Sequence, residues 1–218
     1  MLRELIRERL AGSEPGAPED VHVPGVSGDL PAALRRVRLR RLIPAAVLIP
    51  IVEHDSGLTV LLTRRSDELK HHPGQISFPG GRLETQDPGP AAAALRETWE
   101  ETGLETERVE VIGYLDNYLT LTGYSVTPVV GFVRPGCEYA ADETEVAEIF
   151  EVPLGHLLDP GNVVRRHKRF MGVRLPYFEI PYGRHNIWGA TAGMLVGFRQ
   201  RLYPEQEGAG HQGPGHSR

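Results

Sequence analysis

Three glutamates, Glu97, Glu100 and Glu101, crowd into the stretch Arg96-Glu97-Thr98-Trp99-Glu100-Glu101. On a helix advancing about 100° per residue they share one arc of roughly 100°. Carboxylates so placed repel one another and raise one another's pKa unless a cation sits among them. Hard divalent ions such as Mg²⁺ take carboxylate oxygens, keep part of their water and bridge to substrate phosphates. These residue types therefore allow metal-assisted chemistry on a phosphate linkage. Alone they equally allow a solvated acidic helix face, and the surrounding spacing has to decide.

The elements that position the glutamates are legible on both sides. Asp87-Pro88-Gly89-Pro90 reads as a turn with proline available for a helix start. Gly103 offers a left-handed cap, so a helix is expected over Pro90 to Thr102. Its opposite arc, Ala92, Leu95, Thr98, Trp99 and Thr102, is the expected packing face, with small Ala93 beside the acids. Upstream, Gly80 and Gly81 give backbone freedom and let a ligand approach the main chain.

Gly81, a loop, then Arg96-Glu97, Glu100-Glu101, Gly103 and Leu104 resemble the Nudix box, G-x5-E-x7-R-E-U-x-E-E-x-G-U, where U is a bulky aliphatic residue. Asp87 stands where the first glutamate belongs, the following spacer is one residue longer, and Thr98 occupies a U position. A second stretch narrows the resemblance. Leu61, Leu62, Thr63, Arg65, Ser66, Gly74, Phe78, Pro79, Gly80 and Gly81 match L-L-T-x-R-(S/A)-x3-R-x3-G-x3-F-P-G-G, with Lys70 in place of the second arginine. That pattern is similar to the second signature of the coenzyme A pyrophosphatase branch of Nudix hydrolases. Lysine keeps the charge there and loses the planar fork.

The resemblance implies an α/β (α+β) fold, a Nudix-type α/β/α sandwich with a mixed β-sheet and the loop-helix of the box. It implies metal-dependent hydrolysis of the diphosphate linkage of coenzyme A, with Mg²⁺ or Mn²⁺ as cofactor. Glu97 and Glu101 are the expected metal ligands, and Glu100 is a third ligand or the base. Arg96 is expected to orient the glutamates, Glu145 is the first candidate for a late-loop ligand or base, and Glu143 is the next. Arg65, Lys70, Phe78, Gly80 and Gly81 are the expected substrate-binding residues. An NADH or ADP-ribose diphosphatase, or a non-catalytic nucleotide-binding module, are the alternatives.

The rest of the chain fits one domain over 1–218, with its core over 34–203, a helix and wrap over 1–33 and a disordered tail over 205–218. A 218-residue chain that is 40% hydrophobic supports a sizeable core. Net charge of −5 and a pI near 6.0 point away from nucleic acid and membrane partners. The single cysteine, Cys137, excludes an internal disulfide and favours a reducing, cytoplasmic setting; a homodimer is compatible with the chain. Leu2, Leu5, Ile6 and Leu10 share helical spacing, and 13–28 reads as a linker or surface wrap. Arg35, Arg36, Arg38, Arg40 and Arg41 form either a solvated basic face or a dock for substrate phosphate.

Leu42 to Val52 reads as a buried strand turned by His54-Asp55-Ser56-Gly57 into a second strand, Leu58 to Thr63. Val109 to Leu115 and Ser125 to Val133 are further strands, joined by a polar and aromatic connector, Asp116 to Tyr124. Glu138 to Leu154 combines an acidic loop with an apolar stripe. Val163 to Phe170 and the aromatics Tyr177, Phe178 and Tyr182 form a strand pair beside the site. Asn186-Ile187-Trp188-Gly189-Ala190-Thr191-Ala192-Gly193-Met194-Leu195 starts a closing helix that carries Trp188, Met194 and Leu195 into the core.

Overall fold

The computed structural model describes residues 1–24, 34, 37, 42–69, 72–170 and 172–204. Lys70, the arginines of 35–41 and the tail over 205–218 lie outside the described residues. Helix α1 (Leu2–Leu10) and the short strand β1 (Val21–His22) precede the hairpin β2 (Ile43–His54) and β3 (Gly57–Arg65). Strands β4 (Ile76–Ser77) and β5 (Gly80–Arg82) lead into helix α2 (Pro90–Thr102). Then come β6 (Val109–Tyr114), β7 (Asn117–Leu119), β8 (Tyr124–Val133) and β9 (Val146–Pro153). The chain ends in α3 (Leu154–Leu158), β10 (Val164–Phe170), β11 (Val173–Tyr182), β12 (His185–Trp188) and α4 (Ala190–Leu202).

Strands β1 to β9 form one mixed sheet, and β10, β11 and β12 a separate antiparallel one. The axis of the large sheet is β2, which runs parallel to β8 from Ile43↔Tyr124 to Val52↔Val133. A strand covered on both faces reads as a continuous apolar run instead of an alternating one, which is why Ala45–Val52 and Val126–Val133 show no polar face. On its other side β2 is shared: its first half pairs with β5, Ala46 opposite Gly81, and its second half with β3, Ile51 opposite Val60. This division brings the glycine pair into the sheet.

Helix α2 covers one sheet face through Ala93 and Ala94, which pack on Ala46, Leu48 and Val129. The other face buries Ile49, Ile51, Val60, Leu62 and Val130 with α1, α3 and α4, including Leu195 and Phe198. The large core on that side and the helix on this one make the layered α/β/α arrangement expected from the sequence. The wrap contributes β1, which adds in parallel to β7, so the expected connector over 116–124 contains a strand. Among the described residues no helix is long and apolar enough to cross a membrane.

Helix α2 starts and stops where its caps predict. Pro90 opens it, and Gly103 takes φ 69° and ψ 5° while its N–H donates to Trp99 O at 2.8 Å. Its roll differs from the expected one. Ala93, Ala94, Thr98, Glu101 and Thr102 are buried, whereas Trp99 is 55% exposed. Small side chains let the helix approach the sheet, and an indole at the contact would hold it away. Residues 185–188 form strand β12 instead of opening the closing helix, which starts at Ala190 after Gly189, and Trp188 is 39% exposed instead of lying in the core, while Met194 and Leu195 are buried as expected.

Gly103→Ala is expected to destabilise the fold. A Cβ there would sit in the left-handed region and press on Ala140, 3.2 Å away. The left-handed conformation costs a non-glycine residue about 1–2 kcal/mol. Urea denaturation should show a lower midpoint with an unchanged slope.

Candidate active site

The two glycines are required by close approach. Gly80 has φ 146°, and a Cβ on it would overlap the backbone of Ala46 and Val47. A Cβ on Gly81 would occupy the space taken by the Glu97 carboxylate. The strand pair β2–β5 and the small face of α2 thus press a carboxylate directly onto main chain. One turn further along α2, Glu101 is 5% exposed and accepts the Gly80 N–H at 3.4 Å.

Burial dominates the electrostatics of both groups. It pushes the Glu101 carboxyl up to about 8, with the Arg65 charge and the Gly80 N–H opposing and the charges of Glu145 and Glu97 adding to the rise. Glu97 is also raised, again first by burial; Arg96 opposes, and Glu100 and Glu145 add. Glu97 and Glu145 thus lie within electrostatic reach of Glu101 and of each other, and Arg65 lies within reach of Glu101.

Arg96 organises the outer side of this group. Its Nη1 donates to Glu97 Oε1 at 2.9 Å and to Glu100 Oε2 at 3.2 Å. Nε and Nη2 grip Asp87 at 3.1 and 2.9 Å, and Nη2 also reaches the Arg82 carbonyl at 3.3 Å. Asp87 is held in place by the Glu84 N–H at 2.8 Å, and its side chain is only 5% exposed. The Arg96 guanidinium holds its carboxyl below the usual range. The altered loop therefore preserves an arginine clamp: the spacer is longer and the acid shorter. Sequence reasoning registered Asp87 only as a departure; its spacing to Arg96 was the available signal.

Glu145 reaches the site through helix physics. The last carbonyls of a helix lack intrahelical partners, and here the acidic loop supplies them. Ala140 N–H donates to Thr102 O at 2.8 Å and Asp142 N–H to Glu101 O at 3.1 Å. Glu145 is then fixed from the far side, its carbonyl accepting the Ser66 N–H at 2.8 Å next to Arg65.

The NUDIX domain model matches residues 42–172, from the start of β2 to just past β10. A curated relative, the uncharacterized Nudix hydrolase NudL of Enterobacter sp. (strain 638), is 42% identical over 160 residues, spanning 69% of this chain and 78% of that protein. The chain belongs to the Nudix hydrolase family. NudL of Escherichia coli (strain K12) is 44% identical over 156 residues, with 69% and 78% covered. Among solved structures, the Caenorhabditis elegans Ap4A hydrolase binary complex aligns at 18% identity and TM-score 0.45, over 51% of this chain and 80% of that one. The Nudix domain of Shewanella oneidensis NrtR, complexed with ADP ribose, aligns at 21% identity and TM-score 0.43, over 55% and 77%.

Nudix hydrolases generally need divalent metal ions, and the donor set here suits one. Two partly or wholly desolvated carboxylates, raised first by burial, fit a hard cation that takes oxygen ligands. Among the described residues no three acid, imidazole or thiol groups form a ready-made cage, and Arg96 ties Glu97 and Glu100 together. Of the expected site residues, the Nudix fold brings together Glu97, Glu101, Gly80, Gly81, Arg65, Arg96 and Glu145, with Glu100 exposed at the rim. Phe78 is 2% exposed within the main core, so its ring anchors the loop instead of meeting substrate. Glu143 is exposed on the loop that carries Glu145.

Metal-free protein should show a pH-dependent stability with a definite sign. Because the folded-state pKa of Glu101 is raised to about 8, the native state holds this proton where the unfolded state has lost it. Stability therefore falls as pH rises from about 5 to about 8 and levels off above, by an amount on the order of a few kcal/mol. Urea midpoints measured in EDTA should follow this slope, and Glu101→Gln should flatten it while stabilising the protein at pH 8.

Proposed function

We propose that this Nudix hydrolase cleaves the diphosphate linkage of coenzyme A or its thioesters. The products are 3′,5′-ADP and 4′-phosphopantetheine, or acyl-phosphopantetheine from a thioester. The reaction class rests on one observation: the Glu97 and Glu101 carboxylates held out of water against Gly80 and Gly81, with Arg65 beside them. The substrate rests on the resemblance of Leu61–Gly81 to the coenzyme A signature.

We assign Glu97 and Glu101 as the ligands of Mg²⁺ or Mn²⁺. Bound there, the ion supplies charge neutralisation for the diphosphate and lowers the pKa of a coordinated water. Arg65, at the end of β3 and within electrostatic reach of Glu101, takes a phosphate oxygen. Arg96 keeps the glutamates in orientation, and Asp87 keeps Arg96 in place. Glu145 is the base: its exposed carboxylate makes no hydrogen bond or ion pair among the described residues, so it is free to take the proton from the attacking water. Glu100 is already held by Arg96. Water's oxygen bonds to phosphorus as the bridging P–O bond breaks, and the leaving phosphate departs with the bridging oxygen.

Purified protein with Mg²⁺ should hydrolyse coenzyme A in preference to NADH, ADP-ribose and diadenosine polyphosphates, with 3′,5′-ADP as a product by chromatography. A clear preference for any other member of that panel sinks the substrate assignment. Glu97→Gln and Glu101→Gln should each lower turnover at least about a hundredfold, given the several kcal/mol of charge stabilisation a metal provides, and weaken Mn²⁺ binding in calorimetry. Glu145→Gln should lower kcat by about 10² or more while leaving Mn²⁺ affinity nearly unchanged. Asp87→Asn should cost about 10- to 100-fold, as for other residues that orient metal ligands.

A further inference from the structure

Trp188, at the end of β12, leaves 39% of its surface exposed and meets Tyr177 edge to face, centroids 6.3 Å apart at 74°. Strand register pairs Glu179 with Trp188 and Arg166 with Tyr177, so these four side chains share one face of the small sheet. The Tyr177 hydroxyl donates to Glu179 Oε1 at 3.1 Å, and Arg166 Nε donates to Glu179 Oε2 at 3.4 Å. Two half-open aromatic rings are thus rimmed by a carboxylate acceptor and a guanidinium donor side by side.

This corner is fastened to the loop that carries the diphosphate-binding residues. Gly189, the residue after Trp188, lies over Gln75: a Cβ there would stand 3.6 Å from Gln75 Nε2. The Gln75 carbonyl accepts the Arg65 N–H at 3.0 Å. Thr191 Oγ1 donates to the Ile76 carbonyl at 3.0 Å, pinning the start of α4 to the same loop. Arg65 in turn acts on Glu101.

We infer that the Tyr177–Trp188 corner receives the adenine ring of the substrate's nucleotide half. A purine offers a flat π-face for the indole. The edge of adenine carries an amino donor next to a ring-nitrogen acceptor, matching the adjacent Glu179 acceptor and Arg166 donor. The pantetheine arm can offer amide donors and acceptors but is flexible and non-planar, with no π-face to lay on the indole, so the ring contact is what selects the base. The inference rests on the diphosphate-hydrolase reading and adds to it the residues that read the base.

The chain holds two tryptophans, so Trp99→Phe leaves Trp188 as the sole indole reporter. Metal-free titration of that variant with 3′,5′-ADP should quench its emission saturably, and 4′-phosphopantetheine should not. In turnover assays, Trp188→Ala should raise KM for coenzyme A about tenfold, the scale of losing one base–aromatic stack, with kcat largely kept. Trp188→Phe, which keeps a ring, should stay within about threefold of wild type. Absence of quenching by 3′,5′-ADP, quenching by 4′-phosphopantetheine instead, or an unchanged KM in Trp188→Ala overturns the inference. Should Trp188→Ala fail to fold, the quench and Trp188→Phe decide. If wild-type protein cleaves no diphosphate, the hydrolase reading fails separately, and the metal-free quench still tests the corner.

Discussion

Everything at the centre of this molecule depends on holding two carboxylates out of water without a full counter-charge. Burial of an ionised group is costly, so it persists only where surrounding structure leaves the group no alternative position. Here Glu97 fills the space of an absent side chain at Gly81, and Glu101 lies against the Gly80 amide. That proximity needs a helix that can come close, hence Ala93 and Ala94 on its inner face, and a strand without side chains opposite. A cation bound between them would relieve what the fold imposes.

Around that pair the charges are arranged in depth. Arg96 takes one oxygen from Glu97 and one from Glu100, and Asp87 fixes the arginine from behind. The acidic loop beyond α2 is recruited by unpaired helix carbonyls at Glu101 and Thr102, not by its own charges. Backbone hydrogen bonding therefore overcomes the repulsion of bringing another carboxylate, Glu145, toward glutamates already in place.

The strands and the site helix were legible because their signals are local. The apolar run of β2, the His54–Gly57 turn and the Pro90 and Gly103 caps all act within a few residues. The roll of α2 was not legible. A helical wheel gives relative angles and leaves open which arc faces the sheet, and that choice was made by the glycines of a separate strand, which turned Trp99 outward. Glu101 illustrates the cost of separating acidic from packing residues: it is both. Phe78 sits in a motif that mixes packing with contact residues, and only burial tells them apart. The Asp87 clamp required knowing how an irregular loop closes, and the exposure of Trp188 depended on residues 185–188 joining the second sheet as a third strand, where the local pattern read as a helix start.

The parallel pairing of β2 with β8 has a temporal meaning as well as a spatial one. Ile43 joins Tyr124, and the intervening chain contains both glycines and the whole of α2. Closing so long a loop has to precede any reward from the contacts it brings together. An isolated helix of 13 residues is marginal in water. The glutamate helix therefore draws its stability from the sheet that β2 and β8 close between them, and synthesis has to pass β8 before that sheet can be complete.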